Sequence, residues 1–443
     1  MIDVLVVGGG PVGLATAIRC ALAGLSVTVT EPRAAPVDKA CGEGVMPAAV
    51  RRLAAMGVTP DGHRLRGIRY LDAAHQADAP FRHGDGLGVR RTVLHAALAA
   101  RAAALGIPVV PARVTTFERH AGHVTAAGVE ARYLVAADGL HSTIRRVLDR
   151  EAPPPAGASR PAAPRYGLRR HYRVAPWTDL VEVHWTPGAE AYVTPVSGDV
   201  VGIGLLFARP HSAEPNGDGR PETDRLGGAR RGDNWHGDNW HGDDPHGDGR
   251  PGGARYADAQ YAGARHRDGQ RGDNWHGDDR HRDARHGAGP QADAPAAAGD
   301  GARGNAGGDF AVRLAAFPAL RDRLADAAPA SEVRGAGPMR QDVRRRVYGR
   351  VLLVGDASGY LDALTGEGIG VGLAQAEALA DCLAAGRPAD YERAWRRVSG
   401  PAWRFTAGLL WSRNQPFLGP RIVPAAERLP WLFAALVNHA AQA

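Results

Sequence analysis

Residues 2–31 read IDVLVVGGGPVGLATAIRCALAGLSVTVTE. Residues 2–7 predict a buried strand. Residues 11–24 predict a helix, with Pro11 at its start and a glycine at its end. Residues 26–31 predict a second strand. Strand, helix and strand in that order make a βαβ unit and favour a parallel sheet. The turn between the first strand and the helix carries Gly8-x-Gly10-x-x-Gly13. Here Gly8 permits a tight turn, Gly10 lets backbone approach a pyrophosphate, and Gly13 packs helix on strand. The helix N-terminus offers free N–H groups to phosphate. Glu31 closes the second strand, where a carboxylate accepts hydrogen bonds from ribose hydroxyls and repels a 2′-phosphate. The same glycine spacing recurs at Gly247 and at Gly299, with neither a strand before it nor a helix after it. Context, not the spacing, carries the reading.

The motif does not separate one dinucleotide from another. Two further stretches do. Residues 134–146 (LVAADGLHSTIRR) and 353–358 (LVGDAS) each predict a strand that ends in an acid beside a glycine, Asp138-Gly139 and Gly355-Asp356. A ribityl chain needs an acceptor at a strand end, and Asp356 suits it. The following TGEGIGVGLAQAEALADCL predicts a helix starting near Gly368. Its glycines allow close approach to a flat ring, and its free amides would stabilise negative charge on the polar edge of a reduced flavin. FAD is therefore the expected cofactor.

Working outward, the chain has 443 residues, a formal charge of +7 and 44% apolar residues, enough for a real core. Its arginines are scattered with no aromatic-plus-basic module, so nucleic acid is not an expected partner. Cys20, Cys41 and Cys382 lie far apart, which predicts no disulfide framework, no zinc site and a reducing cytoplasm. No signal peptide and no membrane span are expected. Helices are predicted at 47–56 and 92–105, and strands near 107–114 and 132–137. Residues 166–207 hold four strand-like runs at short spacing, which predict an antiparallel lobe able to roof a site. The domain reading is 1–165 for the first part of an FAD-binding domain and 166–210 for the lobe sheet. Residues 309–385 form a lobe helix and the second part of that domain, and 386–443 form C-terminal helices. The stretch 211–308 is nearly free of Ile, Leu, Val and Phe and repeats RGDNWHGD. It is expected to be a disordered insertion. Eight of the 18 histidines fall in it. Flexible His and Asp tracts bind zinc or nickel weakly, but a tolerated repeat expansion accounts for them and no metal site is assigned.

GGGPVG, Glu31-Pro32-Arg33, ADGLHS and GDASGYLDALTGEGI match, in order and spacing, the FAD-dependent aromatic hydroxylase and geranylgeranyl reductase superfamily of the p-hydroxybenzoate hydroxylase fold. The resemblance covers the chain except roughly 211–308. It implies an α/β fold: a Rossmann-like FAD-binding domain, an antiparallel substrate lobe and a helical C-terminus. It implies that Glu31 and Arg33 hold the adenosine end, that Arg91 contacts the cofactor, and that Val114 meets adenine through its backbone. It places Asp356 on the ribityl chain, Gly366, Gly368 and Ile369 under the ring, and Cys41 in a tight turn over it. CGEG with DALTGEGI looks most like actinobacterial flavoprotein monooxygenases found beside type III polyketide synthases. That implies hydroxylation of a small hydrophobic phenolic polyketide or phenolic lipid through a flavin C4a-hydroperoxide. NAD(P)H is then a transient co-substrate and O₂ the oxidant. The alternative within the resemblance is a flavin-dependent reductase of isoprenoid double bonds.

A phenol reacts best as phenolate, so a base near its hydroxyl helps. His171, His184 and Tyr192 are the candidates on predicted lobe strands. For each, a plain strand residue is the competing reading. The C-terminal GLLWSRNQPFLGPRIVPAAERLPWLFAALVNHAAQA either closes an apolar tunnel, lies weakly on a membrane surface, or packs as a core helix pair.

Overall fold

The computed structural model describes residues 1–151, 164–208 and 301–442. The opening stretch folds as β1 (Ile2–Val7), α1 (Pro11–Leu22) and β2 (Val27–Thr30). Further along come α2 (Pro47–Ala55), β3 (Gly67–Leu71), β4 (Gln76–Pro80), α3 (Arg91–Ala104), β5 (Val109–Val110), β6 (Val129–Ala136) and α4 (Thr143–Glu151). The lobe strands are β7 (Arg165–Arg173), β8 (Leu180–Trp185), β9 (Ala189–Pro195) and β10 (Val200–Ala208). Then follow α5 (Gly301–Leu314), α6 (Pro318–Arg323), β11 (Val351–Leu353), α7 (Gly368–Ala384), α8 (Tyr391–Asn414), α9 (Ile422–Arg428) and α10 (Pro430–Ala440).

The parallel part of the N-terminal sheet runs β11–β6–β1–β2–β5, with short antiparallel strands added on β6 and β11. Strand β1 lies between β2, which follows it, and β6, which comes much later. The winding direction therefore reverses at β1, and a crevice opens beyond the carboxyl ends of the strands. Each motif singled out in the sequence sits at one of those ends: Gly8 after β1, Glu31 after β2, Asp138 after β6 and Asp356 after β11. Gly8 turns with φ +104°, and a Cβ on Gly13 would lie 1.9 Å from the Gly8 carbonyl oxygen. The tight turn and the helix-on-strand contact are both as expected. Helix α7 packs on α1 at a second close approach, where a Cβ on Gly372 would meet the Val12 side chain at 2.4 Å.

The lobe sheet runs β7–β10–β9–β8–β3–β4. It is antiparallel except for the β3–β8 pair. β3 and β4 come from inside the first 165 residues, so the lobe draws on the chain twice. Both strands are only five residues long, and their alternation is too short to predict them. One sheet face packs against α5 and α6 through Phe310, Leu314, Phe317 and Leu320. The other packs Tyr70, Val181, Val183 and Trp185 against Leu364, Phe433 and Val437. The single lobe helix expected from residue 310 is two helices, because Pro318 cannot continue the hydrogen-bond ladder of α5. Helix α5 also begins at Gly301, inside the stretch expected to be disordered, so the glycine spacing from Gly299 does run into a helix, contrary to expectation. The rest of that expectation, and both repeats, lie outside the described residues.

Candidate functional site

The first turn of α1 has no side-chain cap. A Cβ on Gly10 would meet only the Arg91 guanidinium, at 3.7 Å. Pro11 is buried at the first helical position. Open amides, an open glycine and a neighbouring cation together fit a pyrophosphate. His95, one turn into α3 from Arg91, is buried and its Nε2 lies 3.0 Å from the Gly9 carbonyl oxygen. It fixes the glycine turn from behind, with its pKa pushed down by burial. A Cβ on Gly9 would collide with Glu31 at 2.8 Å. The Gly9 N–H donates to Glu31 Oε2 at 2.9 Å.

Glu31 is 5% exposed, and burial opposes its charge. Arg33 outweighs that, with Nε on Oε1 at 2.8 Å and Nη2 on Oε2 at 3.0 Å, and the carboxyl stays below its usual pKa. The two residues expected at the adenosine end thus hold each other. A ribose entering here would exchange with the exposed Arg33 guanidinium. Val114 is buried with Leu5, Val7 and Ala136.

Asp138 departs from a purely cofactor role. Its Oδ2 accepts the N–H groups of Thr143 (2.7 Å) and Ile144 (3.2 Å), so it caps α4. Its Oδ1 is buried and has no hydrogen-bond partner. Burial raises its pKa. Arg145, four percent exposed, joins the two acid-glycine stretches. It donates to the carbonyls of Leu140 (2.6 Å), Asp356 (3.2 Å) and Ala357 (3.3 Å). Asp356 follows Gly355, whose φ is +64°. Its carboxylate is about one-third exposed, and its ion-pair partner is Lys39 Nζ at 4.0 Å. An acceptor so little satisfied by the chain itself fits a hydroxyl-rich ligand.

The turn before α7 places Gly366 (φ +67°), Gly368 and Ile369 at an uncapped helix N-terminus. Met46 and Tyr360 are their nearest side chains, with a Cβ on Gly368 meeting the Tyr360 ring at 3.4 Å. Glu367 sits between those glycines. It is 7% exposed and neither carboxyl oxygen has a hydrogen-bond partner. It lines a cleft with Asp356, Tyr360, Thr365 and Thr406. The Thr365 hydroxyl, 3.0 Å from Thr406, tempers the charge without closing a bond. Burial pushes the Glu367 pKa up to about 8.

The loop carrying Cys41 meets the lobe through a buried charged group. Glu43 holds φ +60° and accepts the Arg91 N–H at 2.9 Å. Its other oxygen is 2.6 Å from His171 Nε2. Arg169, 2% exposed, pairs with Asp38 and reaches His171 Nδ1 at 3.2 Å. A guanidinium only donates, so Nδ1 accepts and Nε2 carries the proton toward Glu43. His171 is thereby engaged on both nitrogens. Cys41 Sγ accepts the Glu43 N–H at 3.4 Å and is partly exposed.

The three expected base candidates do not converge. Tyr192 pairs with Val183 and Gly204, on the face that meets the 360–364 loop, and its hydroxyl donates to the Leu364 carbonyl at 2.8 Å. Burial holds its pKa well above the ordinary value, so it remains a phenol. His171 shares that face, beside Thr194 across Gly202. His184 pairs with Ala191 on the opposite face and leans on Glu182 at 3.3 Å. Replacing Tyr192 by Phe should therefore cost about 1 kcal/mol of stability, roughly 2 °C in melting temperature. Turnover should be unchanged, and a large loss of turnover would restore Tyr192 as a chemical group.

Glu43, Arg145 and Glu367 lie within the motifs CGEG, ADGLHSTIRR and TGEGI, and His95 within the helix predicted at 92–105, but local pattern gives none of them a role. Their roles depend on burial and on partners far away in the chain.

Fold and crevice together define the class: a two-lobed flavoprotein architecture with its cofactor crevice at the switch point of a Rossmann-like sheet. Residues 1–159 match the FAD binding domain family. The chain is 32% identical over 163 residues to menaquinone reductase of Mycolicibacterium smegmatis, covering 33% of this chain and 40% of that protein. It is 44% identical over 70 residues to menaquinone reductase of Mycobacterium tuberculosis, or 15% of this chain and 17% of that protein. The chain thus spans about two fifths of the length of the first of these relatives. Among solved structures, a triple mutant of the flavin-dependent brominase Bmp2 superposes with TM-score 0.65 at 14% identity, covering 100% of this chain and 95% of that one. A flavoprotein/dehydrogenase from Cytophaga hutchinsonii gives 0.63 at 15%, covering 99% and 92%. These likenesses establish the fold.

Proposed function

We propose that this chain is an FAD-dependent oxidoreductase of hydrophobic aromatic compounds. Within that class we read it as an NAD(P)H-consuming monooxygenase that hydroxylates a phenolic polyketide or phenolic lipid. The observation that carries the reading is the junction before α7. There the uncapped helix end and Asp356 line a cleft walled by the aromatic side chains of Tyr360 and Trp403. The redox chemistry itself belongs to the cofactor. The chain's part is to bind it at Gly8–Gly13, Glu31 and Asp356, to offer amides to its polar edge, and to hold the ring substrate in a dry chamber.

A second reading is favoured by the N-terminal similarity to menaquinone reductases: reduction of double bonds in an isoprenoid lipid without use of oxygen. The FAD-loaded protein given NADH or NADPH in air, with an alkylresorcinol-type phenol, should consume O₂ in step with phenol loss in an oxygen electrode. Reduction of a polyprenyl quinone under nitrogen, with phenols ignored in air, would replace the first reading by the second.

A further inference from the structure

Twelve large apolar side chains are exposed among the described residues, and seven of them fall between positions 411 and 436. Trp411 is 61% exposed, Phe417 77% and Trp431 67%; Leu418, Leu429, Leu432 and Leu436 accompany them. Helix α10 shows how this arises. Its inner face buries Phe433, Ala434 and Val437 against the lobe, beside Ala77 and Ala79 of β4. Its outer face should then be polar, as on a surface helix. It carries Trp431, Leu432 and Leu436 instead, the last two one turn apart. A helix apolar on both faces needs two partners, and the fold supplies one.

Charge identifies the missing partner. From Trp411 to the C-terminus Glu427 is the only acid. Arg404, Arg421 and Arg428 are all exposed, while Arg413 is spent on the buried Glu190. Exposed tryptophans and leucines rimmed by arginine match an anionic bilayer, where indole rings settle at headgroup level and cations meet lipid phosphates. A second copy of the chain fits less well, because a two-fold contact would crowd six like charges together. No helix among the described residues is long and apolar enough to cross a membrane, so the surface lies on the bilayer.

We propose that the end of α8, α9 and the outer face of α10 form a docking surface for an anionic lipid bilayer, with Trp411, Phe417 and Trp431 as its anchors. The inner faces of α9 and α10 pack into the lobe cluster that also holds Leu364 and Tyr360, just before α7. Docking therefore brings that side of the lobe to the membrane, whichever oxidoreductase reading holds. The docking claim itself rests on exposure and charge, not on the activity.

The test is flotation of the full-length protein with vesicles of phosphatidylcholine, with and without phosphatidylglycerol. Wild type should float with the mixed vesicles, and its tryptophan emission should shift to the blue. The triple variant Trp411→Ser, Phe417→Ser, Trp431→Ser should keep the wild-type melting temperature and partition about tenfold or more weakly. Arg421→Gln with Arg428→Gln should lose the preference for phosphatidylglycerol. Equal flotation by wild type and the triple variant would overturn the proposal, since binding would then come from elsewhere in the chain. A dimer in light scattering that the triple variant dissolves, with no flotation by wild type, would assign the surface to a second copy instead.

Discussion

Asp356→Ala protein is expected to leave purification colourless, with FAD affinity reduced by about 30-fold or more. The carboxylate is partly exposed, and Lys39 at 4.0 Å leaves its acceptor sites largely unused by the chain. A charge-assisted hydrogen bond to a ribityl hydroxyl is worth about 2 kcal/mol, which is roughly 30-fold in affinity. The substitution leaves the local backbone in place. Gly355 keeps its turn, the Asp356 carbonyl still accepts from Arg145, and Ser358 Oγ still donates to the Gly355 carbonyl at 2.7 Å. The melting temperature of the cofactor-free protein should therefore barely move. Asp356→Asn keeps an acceptor without the charge and should fall between the two. Yellow Asp356→Ala protein with full FAD occupancy would remove the ribityl assignment, and with it the reading of the β11–α7 junction as the flavin half of the crevice.

The parallel sheet and its crevice were readable because strand ends, glycines and acids recur in one local grammar. The pattern at 2–31 needed no distant partner, and β1, α1 and β2 lie where it put them. The helix from Gly368 was equally local, announced by its glycines and the apolar run that follows. What escaped is held by pairs far apart in the chain. Arg145 acquires its meaning from Asp356, 211 positions on. His171 looked like a base on a strand, but Glu43, 128 positions before it, and Arg169 occupy both its nitrogens. Alternation along β7 puts Arg169 and His171 on one face, but does not tell that this face meets Asp38 and Glu43. His184 and Tyr192 were grouped by residue type, and register separates them. Strands β3 and β4 escape because five-residue strands carry little periodic signal.

Glu367→Gln is expected to stabilise the protein by a few kcal/mol at pH 8 and by almost nothing at pH 4. The direction follows from the proton balance. Burial without a hydrogen-bond partner lifts the carboxyl from its ordinary 4.5 to about 8 in the folded chain. Between those two values the folded state holds a proton that the unfolded state has lost. Stability therefore falls as pH rises through that interval, by about 1.4 kcal/mol for each unit of displacement. Below it both states are protonated and the wild-type side chain costs nothing extra. Glutamine keeps the shape and stays neutral, so the slope due to this site disappears. Part of the slope should remain, because burial also raises Asp362 to about 6 and lifts Asp138 in the same direction. Thermal melts of both proteins from pH 4 to pH 9 read the difference directly. An infrared band of a protonated carboxyl at pH 7, absent from the variant, would place the proton on this residue. Parallel melting curves across the whole range would mean that Glu367 finds a partner in solution or turns to water, and the helix end would then carry a full negative charge. That outcome would bear directly on the flavin edge proposed beside it. Amides that stabilise negative charge in a reduced ring are effective only if no carboxylate sits among them, and Glu367, lying between Gly366 and Gly368, meets that condition as long as it keeps its proton.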